Sequence, residues 1–177
     1  MIRRQDVRLG VLKKDIDEAF DESFSLVAFV MNRFLVDHFI RAGRILVDND
    51  YDALVIWGTL AHQNVVHLMP PGTIPSEVLS ETGELPDVEQ RLKPVRLRDL
   101  AQITGIPRET VRRKLGDLEG RRLVMRVGVG WQVSVERLNP DLREFTRESV
   151  YRFVACGREI EAAFAQVRKK AGGPRDK

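Results

Sequence analysis

The stretch from Leu97 to Val135 constrains the fold more than any other, because three local signals follow one another in a fixed order. Leu97, Leu100, Ala101 and Ile103 recur at helical spacing and Gly105 closes that helix, since a glycine takes positive φ without a Cβ clash. Pro107 suits the first turn of a following helix, where its missing N–H has no intrahelical partner to lose. Val111, Leu115 and Leu118 then mark one buried face, and the other face shows Arg108, Glu109, Arg112, Arg113 and Lys114. Leu123 to Val127, a Gly128-Val-Gly130 turn and Trp131 to Val135 predict a hairpin, with Val133 and Val135 alternating with Gln132 and Ser134.

A small residue at Ala101, a glycine at Gly105 and an apolar residue at Val111 match the spacing of a helix-turn-helix. With the hairpin behind it, the segment reads as a winged helix. The run IPRETVRRKLGDLEGRRLV resembles the DNA-reading segment of the CRP/FNR family of bacterial transcription factors, whose reading helix commonly carries an Arg-Glu-Thr-Val core. That resemblance covers residues 97–135, and the cyclic-nucleotide barrel of the family has no counterpart upstream. In layout the chain is similar to the MarR family: two helices, a winged helix-turn-helix and a long closing helix. The CRP/FNR resemblance implies that Arg108, Glu109 and Arg113 touch bases and that Thr110 touches a phosphate. Pro107 stands where that family often has serine, so a hydroxyl contact from that position is lost.

Charge distribution agrees with a phosphate-binding surface. Net charge is only +3, yet residues 91–126 hold eleven Lys or Arg against four acids, a local +7, which leaves the remainder net acidic. Arg122 and Arg126, beside or within the wing, are candidates for backbone or minor-groove phosphate. The wing tip is short and uncharged, so its share of affinity is expected to be small.

The rest of the chain is read in order. Residues 1–14 fit an arm or a short strand equally well. Asp15, Asp17, Glu18, Asp21 and Glu22 place negative charge where a helix N-terminus favours it, and apolar positions then run from Ile16 to Leu46 on nearly every face. Asn32, Arg33, Asp37 and His38 interrupt the most apolar part, Phe24 to Ile40, which reads as too polar to span a bilayer. Asp48-Asn49-Asp50 breaks and caps, and a second helix follows from Tyr51 to Leu68, stopped by Pro70-Pro71-Gly72. The expected organisation is a helical dimerisation region over 1–70 and an acidic, proline-containing linker over 71–95. The winged helix-turn-helix then takes 96–136, a C-terminal dimerisation helix 137–170, and a frayed tail 171–177. A short helix around Ser76–Ser80 is a further expectation within the linker. The fold class is mainly α with a small β wing.

One cysteine, Cys156, excludes an internal disulfide framework and fits a reducing cytosol; the N-terminus lacks the apolar core of a signal peptide. His62 and His67 lie five apart and do not share a helix face as i, i+4 ligands would, so no metal site is expected. No P-loop and no Gly-x-Ser-x-Gly motif is present, and no carboxylate pair stands in a recognisable catalytic setting, which leaves an enzyme without a motif. A small-molecule effector of unknown identity fits the MarR-like layout, with Tyr51, Trp57, His62 and Phe34 as lining. The function expected is double-stranded DNA binding by a cytoplasmic, homodimeric transcriptional regulator, with Arg108, Glu109, Thr110, Arg112, Arg113, Lys114, Arg122 and Arg126 at the DNA. The competing reading is a winged-helix protein-interaction module whose acidic linker meets a partner.

Overall fold

A computed structural model describes residues 4–68, 70, 87–134 and 140–171. In chain order it contains α1 (Arg4–Val47), α2 (Tyr51–Val65), α3 (Val88–Arg91), α4 (Leu97–Thr104), α5 (Arg108–Gly120), β1 (Val124–Val127), β2 (Gly130–Val133) and α6 (Pro140–Ala171). The protein is mainly helical with a small two-stranded antiparallel sheet. Two compact units divide it: Met1–Arg41 with Glu144–Lys177, and Ala42–Arg143. Most of the acidic linker (71–86, with its expected short helix), Val135 and the tail from 172 lie outside the described residues.

The first unit is built on α1 and α6. α1 begins at Arg4, not near residue 15, so the early acids lie within the helix and not at its N-terminus. Arg, Gln, Leu and Lys dominate residues 4–14, and these straight-chain residues extend a helix at little cost. On α1 the positions turned inward are Ile16, Ala19, Ser23, Val27 and Val30, and on α6 Phe145, Cys156, Ile160, Ala163 and Val167. Those positions repeat in steps averaging 3.5 to 3.7, the period that lets two helices stay in register along a seam. The buried Ser23 hydroxyl donates to the Ala19 carbonyl at 2.7 Å, which satisfies it within its own helix. Arg33 donates both of its close bonds to Glu159, at 2.6 and 2.7 Å, and Arg152 reaches Asp37 at 3.2 Å. The Arg33 guanidinium is held more firmly protonated by its hydrogen bond to Glu159 and by that carboxylate's charge. Within Ala19–Val47 an 18-residue window reaches a mean hydropathy of 1.3, so the segment is long and apolar enough to cross a membrane by length and composition. By that measure the polar interruptions do not disqualify it, contrary to the reading from Phe24–Ile40 alone.

The second unit corrects the expected boundaries. α2 does not stand with α1 as a separate helical region; it is the first helix of the body that carries α4, α5 and the hairpin. Ala53, Ile56 and Leu60 are buried against Leu100, Val111, Leu115 and Leu118 in one core, and Val47, at the end of α1, is buried there too. The reason is numerical: α4 and α5 alone present too little apolar surface to exclude water, and α2 supplies the third wall. The α1–α2 corner is Asp48 and Asn49, both at positive φ, with Asn49 N–H reaching back to the Gly43 carbonyl at 2.8 Å. Asp50 then caps α2, its carboxylate accepting from Ala53 N–H at 3.1 Å.

The sheet is small but tied in on two sides. β1 and β2 pair antiparallel, Val124 opposite Val133 and Val127 opposite Gly130. The two-residue connection has Gly128 at φ +58 as its first central residue, the position that a type II′ hairpin reserves for glycine. On the far side of β2, Val95 and Trp131 exchange N–H···O bonds of 3.0 and 2.9 Å. A Cβ at Gly130 would lie 2.8 Å from the Pro94 Cβ, so that approach needs glycine. Behind this bridge sits Asn64 of α2, fully buried. Its Nδ2 donates to the Lys93 and Trp131 carbonyls at 2.7 and 3.2 Å, and its Oδ1 accepts from Val133 N–H at 2.9 Å. The Asn64 carbonyl in turn accepts from Lys93 N–H at 3.1 Å. One amide therefore joins α2, the strand-like segment before α4, and β2. Asn64→Ala takes the partner from the Lys93 carbonyl and the Val133 N–H and leaves the Trp131 carbonyl with the Val95 N–H alone; it is expected to cost about 2–4 kcal/mol, read as a lowered urea midpoint with an unchanged slope.

Candidate nucleic-acid interface

α4 stops where its sequence says it must. Gly105 takes φ +70 and its N–H bonds to the Ala101 carbonyl at 3.0 Å. Thr104 helps close the turn, donating to the Leu100 carbonyl at 2.7 Å and accepting from Ile106 N–H at 3.3 Å. Pro107 is the residue before α5, extended at φ −53, ψ 137, and α5 begins without a side-chain cap. Its buried face is Val111, Leu115 and Leu118 as the spacing predicts.

The outward face is more polarised than the sequence suggests. Arg108, Glu109, Arg112 and Arg113 are exposed, and Thr110 is half-buried at the margin. Glu109 accepts from Arg112 Nη2 at 2.7 Å, and Arg113 lies 3.8 Å from Asp117. Glu109, Arg113, Gly116 and Gly120 fall at i, i+4, i+7 and i+11, one stripe along the outside. Nothing lies within 4 Å of a Cβ built at either glycine, so they fill no packing need, and each weakens the helix by about 1 kcal/mol against alanine. Side chains able to contact a ligand are thereby concentrated in the first two turns of α5.

Lys114 is the correction. The reading placed it with the outward cations, but its side chain is 13% exposed and its ammonium is bonded to the Asp50 carboxylate at the cap of α2. At position 114 the helix turn points the stem back toward α2, and an acid waits there. Arg121 is similarly engaged, 3.2 Å from Asp48 and donating to the Leu46 carbonyl at 3.2 Å. Sequence reasoning missed both acids because they lie more than sixty residues away; the available signal was only that Asp48 and Asp50 flank a helix break. Arg122 is exposed at positive φ (+58), and Arg126 is exposed on β1 opposite Trp131. The structure thus places Arg108, Arg112 and Arg113 on α5 with Arg122 and Arg126 after it, in one unit, and leaves Lys114 to hold the fold.

The residues named for an effector do not share one unit. Phe34 belongs to the first, its ring 5.6 Å from Phe153 and 5.8 Å from His38. In the second, the Tyr51 ring covers Gly43 and Trp57 packs on the core. A cavity of about 320 Å³ lies in the first unit, lined by Arg33, Phe34, Asp37, Arg152, Cys156 and Glu159. Among the described residues no three His, Cys, Asp or Glu side chains are grouped to hold a metal ion. No family model, curated protein or solved structure matches the chain.

Burial pushes the Asp50 carboxyl up, but the Lys114 hydrogen bond and the Ala53 N–H, with the charges of Lys114 and Arg113, hold it below its ordinary value of 3.8. A lowered folded-state value means the contribution is complete above that ordinary value and fades as pH falls through the lowered one. Asp50→Ala should cost about 1–2 kcal/mol at neutral pH, because the cap is lost with the pair. Asp50→Asn keeps a capping oxygen, costs less, and should lose less further stability than the wild type between about pH 6 and about pH 3, measured by urea unfolding.

Proposed function

We propose that the protein is a sequence-specific, double-stranded DNA-binding regulator of transcription, acting as a homodimer in the cytoplasm. α2, α4 and α5 with the β1–β2 hairpin make a winged helix-turn-helix, and α5 (Arg108–Gly120), where the sequence predicts a reading helix over 107–119, lies in the major groove. The observation that carries this reading is the exposed, uncapped first half of α5. Arg108, Glu109, Arg112 and Arg113 stand outward there, on a helix fixed to its core by Val111, Leu115 and Leu118.

The chemistry fits bases at one end and phosphates around them. Arginine pairs bidentately with guanine O6 and N7, and glutamate accepts from a cytosine amine. Helix-turn-helix proteins present the N-terminal end of the second helix to base edges. The uncapped N–H groups of that first turn suit a phosphate oxygen, as does the half-buried Thr110 hydroxyl beside them. Arg122 and Arg126 lie beyond the far end of the helix, where backbone phosphate is the nearer target. Homodimerisation is supported by the large apolar side chains left exposed on α1 and α6, among them Phe29, Phe24 and Phe153.

Reading and holding separate by mutation. On a selected site, Arg108→Ala should lose ~1–3 kcal/mol and relax preference at one base pair. Glu109→Ala should relax a neighbouring position with little loss of total affinity, since it removes negative charge near phosphates. Arg122→Ala should weaken every sequence alike and flatten the salt dependence by about one counterion in slope. Titrations against the site and its single-base variants at two salt concentrations distinguish these. An equal loss on all sequences from Arg108→Ala would exclude base reading by α5.

A further inference from the structure

Two sulfur atoms from different helices meet inside the first unit. Cys156, the chain's single cysteine, is 5% exposed on the inner seam of α6. Its Sγ lies 3.9 Å from the Sδ of Met31, a partly buried residue of α1 packed against the seam core. The thiol is a weak donor, and its backbone acceptor, the Val30 carbonyl, is also 3.9 Å away. Little hydrogen bonding is lost when that proton leaves. Nor is the thiol sealed in, because Cys156 lines the cavity of about 320 Å³ described above. The acids on the same cavity, Asp37 and Glu159, are engaged by Arg152 and Arg33, so the donor left over for an ion is chiefly sulfur.

We infer that Cys156 and Met31 form a binding site for copper(I), one helix supplying a thiolate and the other a thioether. Ligand softness selects the ion. Thiolate and thioether sulfur favour copper(I), whereas calcium and magnesium take oxygen ligands. Zinc in a protein site takes three or four ligands from Cys, His and carboxylates, and among the described residues no three His, Cys, Asp or Glu are grouped. Geometry agrees with the choice. Metal–sulfur bonds of about 2.3 Å that meet at about 120° hold their two sulfurs about 4 Å apart, close to the separation already present. Neither helix has to move to bring the ligands to distance. The third position of a trigonal ion goes to a small thiol from solution, for which the cavity has room. Each thiol gives its proton to solvent as its copper–sulfur bond forms. The ion arrives already reduced, so no electron is transferred.

The test is a competition for copper(I) between the full chain and bathocuproine disulfonate, run without oxygen in glutathione and read from the absorbance of the chelate. The wild type should withdraw one ion per chain. Met31→Leu keeps the volume and the thiol, and should weaken binding by roughly 10–100-fold, no less than the loss of an outer-shell partner does. Cys156→Ser should abolish it; if a buried hydroxyl unfolds the chain, seen as lost far-ultraviolet dichroism, Cys156→Ala takes its place. X-ray absorption at the copper edge of the loaded wild type should show sulfur neighbours at about 2.3 Å and no nitrogen. Equal affinity in Met31→Leu and the wild type would mean that the sulfurs merely pack together, and would overturn the inference. So would failure of the wild type to compete with the chelator, or one ion shared between two chains.

Discussion

The amide of Asn64 is the interaction on which the second unit depends. A fully buried polar side chain costs free energy unless its hydrogen-bonding capacity is met, and here both donors and the acceptor find backbone groups. Those backbone groups belong to two segments that also meet through the Val95–Trp131 bridge and through Gln132 Nε2, which donates to the Leu92 carbonyl at 2.6 Å. Without the amide, a two-stranded hairpin would be marginal in water, since so small a sheet cannot exclude solvent from its own ladder. With it, β2 has α2 behind it and Val95 beside it. The hairpin is therefore a fixed feature of the unit, and any group it carries, Arg126 included, has a defined place relative to α5.

A second constraint is electrostatic and lies at the opposite end of the same unit. Asp48 and Asp50 at the α1–α2 corner draw in Arg121 and Lys114, the cations nearest the far end and the inner edge of α5. α5 carries Arg108, Arg112 and Arg113 on its exposed face, and its other cations are either neutralised or turned away. The corner does both, and it also fixes how α5 lies against α2. The local charge excess visible in the sequence consequently divides into a structural part and a presented part, and only the second is available to a polyanion.

Much of this was legible from residue spacing. The helix end at Gly105, the start after Pro107, the buried triad of α5, the hairpin and the corner at Asp48-Asn49-Asp50 follow from short-range rules, because each involves residues within a few positions of one another. What escaped was long-range. Asn64 looked like one polar residue late in a helix, with nothing nearby to say that its partners were residues 93, 131 and 133. α2 was grouped with α1 because the chain order places it there, whereas its packing partners come forty and more residues later. Lys114 sat at the margin of the polar face, where helical periodicity alone cannot decide between solvent and a distant carboxylate. The start of α1 is hidden for the opposite reason: residues 4–14 carry no strong periodicity, and only their intrinsic helix propensity marks them as helical.

Asp50 meets two demands with one carboxylate: Oδ1 receives the Ala53 N–H in the first turn of α2 and Oδ2 receives the ammonium of Lys114. Few side chains can meet both. Serine, threonine and asparagine cap a helix but bring no charge, and glutamate brings charge on a stem one carbon too long for the cap. Position 114 is restricted in turn, since an arginine fork would have to fit where a slender ammonium now ends. The two positions are coupled: a change at either alters what the side chain at the other must satisfy. In a set of diverged sequences the pair should vary together, whereas Arg112 and Arg113, two and one residues away, are free to follow whatever surface they meet.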